Sequence, residues 1–185
     1  MNQLKSISTS LLFGFVLYAL TACNTPTTSA TMQTADSVTI AKERNQINAL
    51  LDSFNRAAAQ AQFDAYFNFY TEDAIFAGTD ATERWIKKDF MVWAKPFFDK
   101  GKAWNFTALE RHIYFDKTAQ FAWFDELLNT QMKICRGSGV LIKNNNEWKI
   151  QQYILSTTVP NDQLDSVISI KATIEDELIQ RLSKK

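Results

Sequence analysis

The sequence predicts an α+β domain in which three helices precede a strongly curved antiparallel sheet and a further helix follows it. Up to about residue 95, apolar side chains recur at the spacing of helices. From Ala103 the period changes, and aromatic and β-branched residues dominate long stretches separated by short polar turns. The hairpin over residues 131–159 is the clearest of these, because Trp148 and Ile150 open its second strand with the alternation of a half-buried strand. Helices that are separated from strands along the chain are typical of α+β folds.

Three helices are predicted before the sheet. The first spans roughly residues 38–62, and a second, short helix that Asp64 can cap leads into a strand at 74–76. The third spans residues 82–95 and is expected to end near Pro96. The apolar positions that define the first and third helices are Ile47, Leu50, Leu51, Phe54, Ala58 and Ala61, and then Trp85, Ile86, Phe90 and Trp93.

The second half of the chain predicts a meander of four strands and a C-terminal helix. Turns at 116–117, 129–130 and 144–146 connect neighbouring strands, which therefore run antiparallel. From Asn161 the apolar residues recur near heptad spacing, which indicates a helix. This tail is expected to pack on the domain or on a second copy of it.

Residues 1–22 are predicted to be a signal peptide. Lys5 is the only charged residue in this segment, and it precedes the apolar run 11–20, which is too short to read as a membrane-spanning helix. The run ends at Leu20-Thr21-Ala22-Cys23, which resembles the bacterial lipobox, in which the cysteine thiol takes a diacylglycerol group. The alternative is an ordinary signal peptide followed by an incidental cysteine.

Lipidation of Cys23 would tether the protein to a membrane, since each buried methylene of an acyl chain contributes ~0.8 kcal/mol. Asn24 rather than Asp follows the cysteine, which favours the outer membrane with the domain facing the periplasm. Residues 23–37 contain almost no large apolar side chain and are predicted to be a disordered tether. The folded unit is then 38–162, followed by the C-terminal helix at 163–185.

Charge and cysteine content exclude several classes of function. The chain has 20 Lys+Arg and 20 Asp+Glu without a basic stripe, so no nucleic-acid partner is expected. If Cys23 is acylated, Cys135 has no partner for a disulfide within the chain. Cys135 is then a buried structural residue or, alternatively, a reactive thiol beside Arg136. No paired His or Cys residues occur at metal-ligand spacing, so neither a metal nor another cofactor is expected.

The element order α-α-β-α-β-β-β-β, with W-K-I-Q-Q-Y-I-L-S over residues 148–156, resembles the nuclear transport factor two superfamily. Within it, F-A-W-F-D-E at 121–126, C-R-G-S-G-V-L at 135–141 and P-N-D at 160–162 are similar to the SnoaL-like branch. The resemblance covers about residues 40–162 and implies a sheet curled around a conical cavity, with the first helix closing one side. Members include isomerases, polyketide cyclases, dehydratases and domains without a known reaction, so the fold alone predicts no function.

One enzyme of this superfamily, ketosteroid isomerase, gives a catalytic pattern with which the chain can be compared. That enzyme needs a carboxylate base and an oxyanion pair of Tyr and protonated Asp. The resemblance implies that the tyrosine falls at Phe54, the base at Gly78 and the second acid at Gly139 or Val140, so the chain lacks this set. Asp80 could replace the base, although an aspartate in a turn is more often a solvated turn former.

Two further strands supply candidate residues. His112, the only histidine, lies with Glu110 on one side of the first long strand and is a candidate base, or alternatively a surface or interface residue. In the last strand, alternation from its first residues places Gln152, Ile154 and Ser156 on the cavity face. Related domains often carry polar residues at the first two of these positions, and neither side chain here can transfer a proton.

Glu126 lies on a strand that offers two different faces. Trp123 and Asp125 share one face, Phe124 and Glu126 share the other, and which of them points inward depends on a bulge that the sequence does not show. A buried carboxylate facing Arg136 would anchor a polar ligand. Alternatively, Glu126 and Arg136 form a salt bridge in the sheet or in a dimer interface. The predicted pocket lining is Trp93, Trp123, Asp125, Glu126, Arg136, Ser138, Gln152, Ile154 and Ser156.

These patterns predict a membrane-anchored SnoaL-like domain that binds a small, partly apolar molecule in its conical cavity. It is expected to form a homodimer through the outer face of the sheet. The first alternative is an isomerase, dehydratase or hydrolase that uses Glu126 or Asp80 with Arg136. The second alternative is a structural lipoprotein whose cavity is filled by its own side chains.

Replacing Cys23 with Ser tests the lipid anchor, because it removes the thiol that the lipobox motif would acylate. We expect the Cys23→Ser protein to leave the membrane fraction of its host, as measured by fractionation and immunoblotting. The matched control is Cys135→Ser, which removes the other cysteine and should remain in the membrane fraction. Equal membrane association of both variants would refute the lipid anchor.

Overall fold

A single six-stranded sheet packs against three helices in the computed structural model of this protein, which describes residues 34–184. The strand order across the sheet is β2-β1-β6-β5-β4-β3, and α1 contacts both β3 and β6. In chain order the elements are α1 (Ser37–Ala59), α2 (Phe63–Asn68), β1 (Tyr70–Ala77), β2 (Arg84–Ile86), α3 (Lys87–Asp99), β3 (Thr107–Phe115), β4 (Phe121–Thr130), β5 (Lys133–Asn144), β6 (Glu147–Thr157), a short 3-10 helix (Asn161–Gln163) and α4 (Leu164–Leu182).

The predicted α+β class is confirmed, with one difference in how the strands pair. Strands β3 to β6 form the expected antiparallel meander. In contrast, β1 runs parallel to β6, with Ile75 opposite Gln152 and Ala77 opposite Ile154. Because β5 occupies one edge of β6, the strand that arrives from the helical half of the chain pairs with the other edge.

The third predicted helix, over 82–95, is wrong at both ends. Its first residues form strand β2, in which Trp85 pairs with Phe76 of β1. The helix itself begins at Lys87 and continues through Pro96 to Asp99. Phe98 is buried beyond the proline, and this burial offsets the backbone hydrogen bond that Pro96 cannot donate.

Aromatic side chains fill much of the interior between the helices and the inner face of the sheet. Phe54 of α1 stacks on Tyr66 with ring centroids 4.5 Å apart, and Phe76 of β1 stacks on Phe90 of α3 at 4.0 Å. The other buried aromatic residues of this core are Phe67, Tyr70, Phe98, Phe124, Trp148 and Tyr153. Side chains therefore occupy the region that the resemblance predicted to be an open cavity.

A buried carboxylate joins α1 to the β5–β6 hairpin. The Glu43 side chain accepts hydrogen bonds from Trp148 Nε1 at 2.7 Å and from Lys143 Nζ at 2.7 Å. Burial raises the pKa of Glu43, but the hydrogen bonds from Lys143 and Trp148 outweigh it and hold that pKa below its usual range. The hairpin that predicted the sheet is thus fixed to the first helix by a charge-assisted contact.

Both ends of the domain differ from expectation. The predicted signal peptide, Cys23 and most of the predicted tether lie outside the described residues. The last part of that tether is docked, since Ala35 N–H donates to Lys117 O at 2.8 Å and Asp36 caps α1 by accepting from Thr39 N–H at 2.7 Å.

At the other end of the domain, α4 buries no residue. Ile170 and Ile174 are 76% and 75% exposed, so the expected packing of this tail on its own domain is not seen. None of the helices within residues 34–184 combines the length and apolar character needed to cross a membrane.

Candidate functional site

A β-bulge in β6 decides which side chains face the interior. Val140 of β5 lies opposite Gln152, but the next residue, Leu141, lies opposite Ile150, so Gln151 is an extra residue in β6. After the bulge the alternation reverses. Tyr153 and Leu155 are therefore buried on the same inner face as Trp148 and Ile150.

The bulge corrects most of the predicted pocket. Strict alternation placed Gln152, Ile154 and Ser156 on the cavity face, but the extra residue turns them to the outer face of the sheet. Their neighbours across the register, Ser138 and Arg136, face outward with them, since the buried residues of β5 alternate with them at Cys135, Gly137, Gly139 and Leu141. Trp123 and Asp125 of β4 lie on the same outer face.

The inner face carries one carboxylate, that of Glu126, and it is fully buried. Arg111 stands directly opposite Glu126 in the register of β3 and β4, and its Nε donates to Glu126 Oε2 at 2.8 Å. On the other side, Tyr153 Oη donates to Glu126 Oε1 at 3.1 Å. The predicted salt bridge between Glu126 and Arg136 is therefore wrong, because Arg136 lies on the opposite face of the sheet.

Arg111 also ties the sheet to α1. Its Nη1 donates to Asp52 Oδ1 at 2.9 Å and to Asn48 O at 3.2 Å. Its Nη2 lies 2.8 Å from Glu126 Oε2 but is not aligned for a hydrogen bond. The guanidinium group of Arg111 thus bridges the buried carboxylate of Glu126 and the half-exposed carboxylate of Asp52.

Gly137 makes the contact between Tyr153 and Glu126 possible. It lies between them on β5, and a Cβ atom at this position would be 2.5 Å from Tyr153 Oη and 3.0 Å from Glu126 Oε1. Burial raises the pKa of Glu126, although the charge and hydrogen bonds of Arg111 oppose the shift. Burial also raises the pKa of Tyr153, which keeps its hydroxyl protonated as a donor to the carboxylate.

A small aromatic cavity opens where α3, the loop 78–83 and the β4–β5 turn meet, and we call it the mouth cavity. Its volume is about 180 Å³. Trp93 is 39% exposed, and Trp104 and Phe106 are half-buried, so these rings are not closed off as core residues are. Glu83 is the one charged lining residue. The lining consists of Phe76, Gly78, Thr79, Glu83, Phe90, Trp93, Trp104, Phe106, Gln131, Met132 and Leu155.

The remaining candidate bases line neither feature, although Asp80 belongs to the loop 78–83 beside the mouth cavity. Asp80 is in the loop after β1 and accepts from Thr82 N at 2.8 Å and Thr82 Oγ1 at 2.6 Å, which holds its pKa below the usual range. His112 lies on the outer face of the sheet, with Nε2 2.7 Å from Glu110 Oε1. Within the part of the chain that the structure describes, no three His, Cys, Asp or Glu side chains come together as metal ligands would.

Sequence reasoning missed Arg111, Tyr153 and Glu83 in these two features. Arg111 has a partial signal in the sequence, because the strands before and after the 116–120 loop pair antiparallel and opposite charges pair across strands. Tyr153 has no such signal, since the bulge at Gln151 reverses the alternation that predicts its direction.

Comparison with solved structures shows what kind of fold this is. An NTF2-like protein of unknown function from Pseudomonas putida KT2440 has a TM-score of 0.56 and 10% identity, over 67% of this chain and 92% of its own. A protein of unknown function with a cystatin-like fold from Nostoc punctiforme has a TM-score of 0.53 and 10% identity, over 68% and 96%. A protein from Streptomyces avermitilis, provisionally named a dehydratase of the NTF2-like family, has a TM-score of 0.56 and 10% identity, over 66% and 100%.

These identities are low, so the likeness establishes the fold and nothing about activity. The helices and the curved sheet give the protein the cone-shaped fold of these NTF2-like neighbours. The model of the SnoaL-like domain family matches residues 47–160, which is more than half of the chain. The chain belongs to the SnoaL-like domain family. No curated protein sequence matches it.

Replacing Arg111 with Met tests the buried network, because it leaves the Glu126 carboxylate without its cation. Breaking a buried pair in this way destabilises a protein by about 3–5 kcal/mol. Removing Arg111 should raise the folded-state pKa of Glu126 further, because the guanidinium charge lowers that pKa in the wild type. The added loss of stability in Arg111→Met is therefore fully present above the raised pKa. It should diminish as the pH falls towards the unfolded value. Urea unfolding at pH 7 and pH 5 measures both effects.

The matched control is Lys171→Met, which breaks an exposed ion pair with Glu175 on α4. Exposed pairs contribute at most about 1 kcal/mol, so this variant should be close to wild type at both pH values. The double variant Arg111→Met/Glu126→Leu should recover much of the lost stability. A loss in Arg111→Met no larger than in the control would show that the ion pair does not stabilise the fold.

Proposed function

We propose that this protein is a membrane-tethered binding domain that holds a small, partly apolar molecule in the mouth cavity. The observation that carries the proposal is the cavity itself, with exposed or half-exposed rings of Trp93, Trp104 and Phe106 on its wall. Aromatic walls with a few polar groups are typical of small-molecule sites. The bound molecule would contact the rings and place a polar group near Thr79 or Gln131.

The volume of the cavity limits the size of the ligand. At about 180 Å³, it is smaller than the ~300–1,000 Å³ typical of drug-sized ligands. An apolar protein cavity of roughly 150 Å³ holds benzene. The proposed ligand is therefore close to benzene in size.

The position of Glu126 favours binding over catalysis. A general base must reach a substrate proton directly or through one water. Glu126 is fully buried, both of its oxygens accept hydrogen bonds from Arg111 and Tyr153, and it is not among the residues that line the mouth cavity. Asp80, the other proposed base, is engaged by Thr82 and is likewise not in that lining. The inward carboxylate thus acts as a structural group in the proposed function.

The proposed membrane tether rests on the resemblance of residues 20–23 to a lipobox, in which Cys23 would be acylated. In support of it, Ala35 and Asp36 are fixed against the domain, so the segment between Cys23 and Ala35 would be the length available as a spacer. A bacterial envelope protein with the domain facing the periplasm is the proposed setting.

The outer face of the sheet supports the proposed self-association. Tyr114 and Trp123 stack there with ring centroids 5.8 Å apart, and they are 45% and 43% exposed. Exposed aromatic residues of this kind are enriched at interfaces between proteins. We propose that this face joins two copies of the chain.

Trp123→Glu tests that interface, because a carboxylate at its centre would be buried without a partner on association. We expect wild-type protein to sediment as a dimer and Trp123→Glu as a monomer in analytical ultracentrifugation. The matched control is Ile170→Glu on the exposed surface of α4, which makes the same charge change away from the sheet. A monomeric wild type, or equal effects of Trp123→Glu and Ile170→Glu, would refute an interface on the outer sheet face.

Replacing Met132 with Trp tests the mouth cavity. Met132 lines the cavity and is partly exposed. A larger side chain at this position can therefore fill the cavity without entering the core. The probe is 3,3-dimethylbutan-1-ol, a neutral and partly apolar alcohol, titrated calorimetrically into the full chain carrying Cys23→Ser. We expect binding to Cys23→Ser alone and at least a tenfold loss of affinity when Met132→Trp is added.

The matched control is Ile134→Trp, a substitution of similar size on β5 at an exposed residue outside the cavity lining. It should leave the affinity unchanged, and urea unfolding should show that both variants are folded. Equal affinity of the Met132→Trp and Ile134→Trp variants for the probe would show that the mouth cavity is not the site.

A further inference from the structure

The mouth cavity carries one negative charge, that of Glu83, which favours a ligand of positive charge. We propose that the cavity selects a small organic cation of the quaternary ammonium class, held on the rings of Trp93 and Trp104 with Glu83 as its counter-charge. This inference rests on the proposed binding function and names the chemical class of the ligand.

Glu83 is fixed at the cavity by the loop that precedes β2. Gly78 N–H donates to Glu83 O at 2.9 Å, Glu83 N–H donates to Asp80 O at 3.0 Å, and Asp80 N–H donates to Glu83 Oε2 at 3.3 Å. The carboxylate lies so close to the backbone of Gly78 that a Cβ atom there would collide with Oε2. The loop therefore places a carboxylate on the cavity wall, and a glycine leaves the space for it.

No cation in the described part of the chain forms an ion pair with this carboxylate. Among the residues that line the cavity, Glu83 is the only one with a charged side chain. Within residues 34–184, no Lys, Arg or His nitrogen lies within 4.0 Å of the Glu83 carboxylate, whereas nearby Lys87 is paired with Glu72 at 2.8 Å. A carboxylate beside a partly enclosed aromatic wall repels anions and attracts a cationic ligand.

The aromatic side chains complete the recognition of a cation. The indole ring is the strongest cation–π acceptor among protein side chains, and a ligand cation binds within about 6 Å of the ring centroid. Trp93 and Trp104 have ring centroids 6.4 Å apart, and Trp104 lies 5.9 Å from Phe90. A small cation at the mouth can therefore contact more than one ring at once.

The scarcity of acceptors favours a quaternary ammonium group over a primary amine. A primary ammonium has three N–H donors and loses stability if they are buried without acceptors. The acceptor side chains of the lining are those of Glu83, Thr79 and Gln131, so a primary ammonium would have to reach all three at once to satisfy its donors. A quaternary ammonium has no N–H donors, so its methyl groups contact the rings while its charge faces the carboxylate.

Two probes of the same shape test the inference. Choline and 3,3-dimethylbutan-1-ol differ in that a quaternary nitrogen replaces a quaternary carbon, so they separate charge from shape. Both are titrated calorimetrically into the full chain carrying Cys23→Ser. We expect choline to bind at least tenfold more tightly than the neutral alcohol. We expect Glu83→Gln to reduce choline affinity at least tenfold while the affinity for the alcohol changes less than twofold.

The control for charge is Glu110→Gln, which removes an exposed carboxylate on the outer face of the sheet and should leave both affinities unchanged. Trp93→Leu should weaken choline more than the alcohol if the ring contributes through its charge distribution. Equal affinities for the two probes, unaffected by Glu83→Gln, would overturn the cation inference and leave the binding function standing. Failure of both probes to bind would overturn both.

Discussion

The buried carboxylate of Glu126, on the inner face of the sheet, is the constraint on which the surrounding structure depends. Glu126 has no contact with solvent, and a buried charge is tolerated only when it is paired and its lone pairs are satisfied. Arg111 from the adjacent strand and Tyr153 from β6 provide those contacts, and Arg111 in turn reaches α1 through Asp52. Three strands and the first helix are therefore positioned by one buried carboxyl group, and none of these elements can shift without exposing or unpairing it.

The glycine at 137 and the bulge at Gln151 are the local features that this network requires. Tyr153 can reach Glu126 across β5 only because the intervening residue has no side chain. It points inward only because Gln151 is inserted into β6 and reverses the alternation after Ile150. Bulges near functional or polar sites commonly redirect a side chain in this way. The same reversal turns the polar residues of the second half of β6 outward, onto the face that carries Tyr114 and Trp123.

The fold could be predicted from the sequence because it depends on periodicities that survive local irregularity. The helical spacing around Leu51 and Phe54 and the strands on either side of Asn145 persist over many residues. The residues of the site could not be predicted in the same way, because alternate residues of a strand face opposite sides of the sheet. One extra residue in the strand reverses the direction of every side chain after it. Strict alternation therefore predicts Gln152 and Ile154, and not Tyr153, on the cavity face. Trp93 can be predicted from sequence because it shares helical spacing with Phe90, and no bulge separates the two.

The two carboxylates discussed above differ in whether the protein supplies a cation for them. Glu126 is buried and accepts hydrogen bonds from Arg111 and Tyr153, so its charge is compensated within the protein. At the mouth, Glu83 is held by its own loop without a cationic partner among the described residues, and the rings of Trp93 and Trp104 remain partly exposed. A charge that is already neutralised stabilises the fold, whereas one that lacks a partner gains most from a ligand of opposite sign. Glu126 therefore fixes the strands around it, whereas the carboxylate of Glu83 is the charge that the proposed cation would neutralise.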